Sequence, residues 1–116
     1  MTRARRLLAS SFVVLLISAV MLLPLSRFGL VFDQTTAVAG HGVIFLIVGV
    51  LVMGQLSHKR LAALAVLLVW SVALEAGQFL IAGRTPDLAD LGANSLGLLL
   101  AYALVRWGDA IRLRRQ

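Results

Sequence analysis

The chain has no cysteine, two prolines, two histidines and five acidic residues among its 116 positions. Without cysteine there are no disulfides, thiol nucleophiles or thiolate metal sites. The two prolines, Pro24 and Pro86, stand at the edges of apolar segments and leave the segments themselves unbroken. Charge is scarce as well. Charged residues make up 14% of the chain, against about 25% in soluble domains. What fills the chain instead is apolar: 60% of residues are hydrophobic and the mean hydropathy is +0.96. So small a soluble domain has no core able to take up that excess. The composition predicts a single membrane domain over residues 1–116.

Four apolar segments are expected to be transmembrane helices, at about 7–23, 37–56, 61–82 and 86–105. The runs lack the alternation of barrel strands, and backbone in lipid must satisfy its own hydrogen bonds, so helices are the expected form. Arg3, Arg5 and Arg6 before Leu7 resemble the start of a signal peptide. No small-x-small cleavage site follows, and the segment reads as an uncleaved first span. Thr85, Pro86 and Asp87 are expected to open the fourth helix, with Thr85 as its N-cap.

The net charge is +6, and its placement orients the chain. With four spans, Arg3, Arg5, Arg6, Lys59, Arg60, Arg106, Arg112, Arg114 and Arg115 fall on one side with a single acid, Asp109. The other side holds Arg27 and Arg84 against Asp33, Glu75, Asp87 and Asp90. By the positive-inside rule both termini are expected in the cytoplasm. The basic runs lie beside apolar segments, which points to lipid headgroups rather than nucleic acid as partners. Short connections, Ser57–Arg60 and Gly83–Thr85, predict antiparallel neighbours for the second and third and for the third and fourth segments. The longer connection from Pro24 to Thr36 is expected near the outer headgroups.

Ionisable groups in hydrocarbon cost about 2.5–3.5 kcal/mol at a helix centre even on lenient scales, so those retained there have a partner or a use. Asp87, Asp90, Asn94 and Gly97 lie on one face of the fourth segment. Glu75 and Gln78 share a face of the third, with Glu75 about 10 Å below its outer end. His41 is about one turn into the second. These residues, with Asp33 and Arg84, are the expected ligand-binding set, converging on a pocket open to the outside. Glu75 and His41 are the candidate general bases. His41 is expected to bond Glu75 or Asp33. Glu75 reads as a carboxylate that binds a cationic group or shuttles a proton, or else as a structural ion-pair partner of Arg84. Arg84 with Asp87 and Asp90 reads as a clasp for a phosphate or zwitterionic headgroup, or else as an exposed loop salt bridge. Ser95 is near but sits in no nucleophile motif. His58 falls on the opposite side, so no metal site is expected, and no cofactor. Small residues (Gly40, Gly42, Ala73, Gly77, Ala93 and Gly97) flank the polar ones and suit close helix approach.

The run Glu75-x-x-Gln78-Phe79, Arg84-x-x-Asp87-x-x-Asp90-x-x-x-Asn94-x-x-Gly97, preceded by Asp33 and His41, resembles the VanZ-like family. The family's usual pattern differs at Gln34, often basic, and at Gly42, often aromatic. The resemblance implies an integral membrane protein of the bacterial envelope, of the kind linked to teicoplanin resistance, but supplies no reaction. The outward-facing cluster of mixed charge at headgroup depth predicts an outer-leaflet ligand: a lipid-linked sugar, a lipoteichoic-type polymer or a glycopeptide-related molecule. Two other functions fit the residues. One is a proton-coupled small exporter using Glu75. The other is a membrane scaffold whose polar core is purely structural.

Overall fold

The computed structural model describes residues 2–23, 29, 33–82 and 87–116. They form four helices: α1 (Arg3–Leu22), α2 (Gln34–Met53), α3 (Arg60–Ala82) and α4 (Leu88–Arg114). No strand occurs among the described residues. All four helices are long and apolar enough to cross a membrane. At 1.5 Å per residue the shortest is about 30 Å long, the thickness of a bilayer core. Large apolar side chains cover the outside; Leu8, Leu15, Val69 and Leu80 are examples. Such a surface suits contact with lipid.

The helices begin and end where capping chemistry places them. The starts of α1, α2 and α4 are moved from their expected positions by a cap. α1 starts at Arg3 rather than Leu7 because the Thr2 side chain accepts a hydrogen bond from Arg5 N at 3.3 Å. α2 starts at Gln34 because Asp33 accepts from Thr36 N at 3.0 Å, and it ends at Met53 before Gly54, short of Leu56. The N-cap of α4 is Asp87, not Thr85: its side chain accepts from Ala89 N at 2.8 Å. Thr85 and Pro86 lie outside the described residues, as do Arg27 and most of the first long connection. α4 passes the expected end at Val105 and continues to Arg114. The residues beyond Val105 are mostly good helix formers, and Arg112 and Arg114 suit the negative helix end.

The most extensive interface joins helices that are not consecutive, α2 and α4. The pairs expected from the short loops, α2–α3 and α3–α4, are in contact as well, but less extensively. Small residues decide the outcome. A Cβ added to Gly97 would lie 2.4 Å from the Gly42 carbonyl oxygen, and one on Gly49 would lie 2.5 Å from Ala101 Cβ. The two backbones are in contact there, and no side chain larger than hydrogen fits at Gly97. Lipid supplies no hydrophobic drive between helices, so such close packing is what holds them together. Phe45, Val48, Met53, Leu98 and Ala101 fill the rest of this seam, and Leu64, Leu67 and Leu74 of α3 pack against it.

α3 is tied at both ends. Arg60 Nε donates to Met53 O at 3.0 Å, and its guanidinium pairs with Asp109 near the end of α4. In the middle, the Trp70 ring lies 5.0 Å from Phe45 and tilts 42° to it. Trp70 Nε1 also donates to Ser18 Oγ of α1 at 2.9 Å. α1 itself buries no residue and is the peripheral helix.

Candidate functional site

The polar groups gather where α2 and α4 begin and α3 ends. On α3, Ser71, Leu74, Glu75 and Gln78 form one buried stripe at helical spacing. On α4, Asp90 and Asn94 are 1% exposed and face α2. The Gly97 contact lies less than one turn beyond Asn94 and sets the distance at which side chains bridge the two helices.

His41 reaches across that seam. Its Nδ1 lies 3.0 Å from Asn94 Oδ1, and its Nε2 lies 3.9 Å from Asp90 Oδ2. With Nδ1–H donating to the Asn94 carbonyl, a proton on Nε2 is also needed to face a carboxylate favourably. With the amide turned about, Asn94 donates to Nδ1 and Nε2 carries the ring proton. In a neutral ring it is the second arrangement that presents Nε2–H to Asp90. The partner of His41 is therefore Asn94, with Asp90 beyond it. The expected bonds to Glu75 and Asp33 are not its described contacts.

Glu75 serves a different junction. Its Oε1 accepts from the backbone N–H of Asp87 at 2.8 Å, carrying the carboxylate of α3 to the start of α4. A negative charge is favoured there, where the unpaired N–H groups of a helix begin. Asp87 in turn accepts from Gln34 Nε2 at 2.7 Å, which brings in the first turn of α2. Glu75, Asp87 and Gln34 thus join three helix ends. Gln78 turns toward α1 and donates to Met21 O at 2.7 Å, satisfying a carbonyl in the last turn of that helix.

Burial leaves some bonding capacity unused. Among the described residues, Glu75 Oε2, Gln78 Oε1 and Asn94 Nδ2 are buried with no hydrogen-bond partner. A buried polar atom left unmade costs about 1–3 kcal/mol.

The expected residues therefore divide into groups. His41, Asp90 and Asn94 are in contact, and Glu75 joins Asp87. Gln78 shares the buried face of Glu75 but bonds α1. Asp33 is an exposed helix cap: bonds from the Thr36 side chain and then the Thr36 backbone N–H hold its carboxyl below the usual carboxylate range. Arg84, with its expected pairing to Glu75, lies outside the described residues. Gln34 was missed as a site residue. The signal was available, because an Asp33 cap puts Gln34 in the first turn of α2, at the end of the bundle where α4 starts. No group of three or more metal-ligating side chains occurs among the described residues.

No curated protein and no solved structure matches the chain. The family model described as VanZ/LLP1 matches residues 3–111, nearly the whole length. On that match, and with four membrane-crossing helices, the chain is a multi-pass membrane protein belonging to the VanZ/LLP1 family.

Proposed function

We propose that the polar cluster is an extracytoplasmic binding site for an outer-leaflet component of the bacterial envelope. The ligand class is a lipid-linked sugar, a lipoteichoic-type polymer or a glycopeptide-related molecule. Glu75 is the observation that carries this reading. It is 8% exposed, spends one oxygen on Asp87 N, and keeps the other without a partner among the described residues. Asn94 Nδ2 and Gln78 Oε1 add a donor and an acceptor in the same state. Such a set suits a ligand rich in hydroxyl and amide groups. Nine basic residues occupy the opposite end. By the positive-inside rule the spans then alternate in direction, both termini are cytoplasmic, and the cluster faces outward. Glu75 or His41 is the base in an enzymatic version, and Arg84 the phosphate holder.

A scaffold is the second reading, favoured by how tightly the cluster is closed. Asp90 and Asn94 are almost inaccessible, and the Gly97 contact seals the seam beside them. Glu75→Gln separates the two. It keeps an oxygen for Asp87 N but removes the charge. Envelope lipid and polymer profiles of cells carrying Glu75→Gln are expected to change while the protein level holds. Unchanged profiles with a well-expressed variant would favour the scaffold.

A further inference from the structure

The end of the bundle away from Glu75 carries a second polar feature. An open cleft of about 440 Å³ lies between the start of α3 and the end of α4. That volume is in the range of small-molecule sites, about 300–1,000 Å³. Its one acid, Asp109, is neutralised by the ion pair with Arg60. Arg60 is further committed to Met53 O. The cation left in the cleft is Arg106, set in place by Tyr102. Its guanidinium lies 5.8 Å over the Tyr102 ring and Nη1 donates to the Tyr102 hydroxyl at 3.3 Å. That bond uses one of five guanidinium donors, in a fork shaped for phosphate oxygens. Ser57 and His58 face it across the cleft with further polar groups. Leu61, also in the wall, is 68% exposed and continues the site onto the apolar flank of α3.

A fixed arginine fork beside an apolar flank matches a molecule that is anionic at its head and aliphatic below. We propose that this cleft is a headgroup site for an anionic glycerophospholipid, with the phosphate on Arg106 and an acyl chain along Leu61. Basic pockets between membrane helices at the cytoplasmic face take such headgroups. The site shares no residue with the polar cluster and stands whether or not that cluster binds a ligand.

The test is a native mass spectrometry titration of the full chain in neutral detergent. The probes are phosphatidylglycerol, phosphatidylcholine and inorganic phosphate. Phosphatidylglycerol is expected to bind about tenfold more tightly than phosphatidylcholine, and Arg106→Gln to lose about tenfold in its affinity, the scale of one charge-assisted contact. Arg115→Gln, which removes an equal charge outside the cleft, is expected to change it by less than about twofold. Arg106→Lys keeps the charge and loses the fork, so it is expected to lose affinity even where Arg106→Gln fails to fold. Equal losses in Arg106→Gln and Arg115→Gln would show diffuse attraction and overturn the site. Unchanged affinity in Arg106→Lys, or equal binding of the two lipids, would do the same. Inorganic phosphate binding as tightly as phosphatidylglycerol would overturn the lipid as its occupant.

Discussion

Adding one methyl group at Gly97 is expected to open the α2–α4 seam and disturb the polar cluster with it. The new Cβ would stand 2.4 Å from Gly42 O and 3.0 Å from Leu46 N, both backbone atoms that no rotamer change can move. Reaching a tolerable 3.0–3.4 Å from Gly42 O requires the helices to part by about 0.6–1 Å, an overpacking strain that costs about 1–3 kcal/mol. The same shift would stretch the His41–Asn94 contact from 3.0 Å beyond the 3.5 Å limit of a hydrogen bond. Gly92→Ala is the control. It lies on the same helix with nothing within 4 Å of its added Cβ, and is expected to stabilise by about 0.5–1 kcal/mol through helix propensity. Reversible unfolding in mixed micelles with increasing dodecyl sulfate measures both. Gly97→Ala gains the same propensity term, so it is expected to be less stable than Gly92→Ala by the overpacking cost alone, about 1–3 kcal/mol. Equal stabilities would refute the backbone contact and the account of helix pairing built on it.

Asn94→Leu leaves His41 without its partner inside the protein, and is expected to destabilise by about 1–3 kcal/mol in the same unfolding assay, whereas Ser95→Ala, whose hydroxyl bonds only Leu91 O of its own helix, is expected to cost little. Trp70→Phe keeps a ring against Phe45 but removes the bond to Ser18, which then bonds only Val14 O of its own helix, and is expected to cost about 1 kcal/mol and loosen α1; protease sensitivity of the α1 end reports the loosening. The Asp33 cap has a pH signature. Its carboxyl is depressed in the folded chain, so the cap stabilises above the unfolded carboxylate pKa and fades as pH falls through the lower folded value. Melting in detergent across the acid range is expected to lose this increment below pH about 4, and Asp33→Asn, a cap that does not titrate, to lack it.

The number and type of elements were legible because lipid demands long apolar helices, and the runs between Pro24, Asp33, Arg60 and Asp87 allow little else. The ends were read less well. Hydropathy marks the membrane edge, while a helix stops at its cap, so the polar first turns after Thr2 and Asp33 and the basic last turns to Arg114 fell outside the expected bounds. Asp90 and Asn94 were legible as a buried face from their spacing alone. Their partner on α2 was legible only as a candidate, since His41 is within reach of several helix ends in sequence terms. What picks Asn94 is the α2–α4 contact through Gly42, Gly49, Gly97 and Ala101. Small residues are common in membrane helices, and their spacing does not say which pairs meet. Loop length identified the sequential neighbours, which do touch, but carried no sign of the more extensive α2–α4 contact. Gln34 escaped notice because its role depends on the exact start of α2.

The absence of native cysteine makes the central claim open to direct measurement. Thr36→Cys lies in the first turn of α2, at the end shared with Asp87, and Ser57→Cys lies in the connection before α3 beside the basic residues. A membrane-impermeant maleimide applied to intact cells is expected to label Thr36→Cys and to reach Ser57→Cys only after the membrane is opened. Labelling of Ser57→Cys in intact cells, with Thr36→Cys protected until lysis, would put the Glu75 and His41 cluster on the cytoplasmic side and contradict the proposed site.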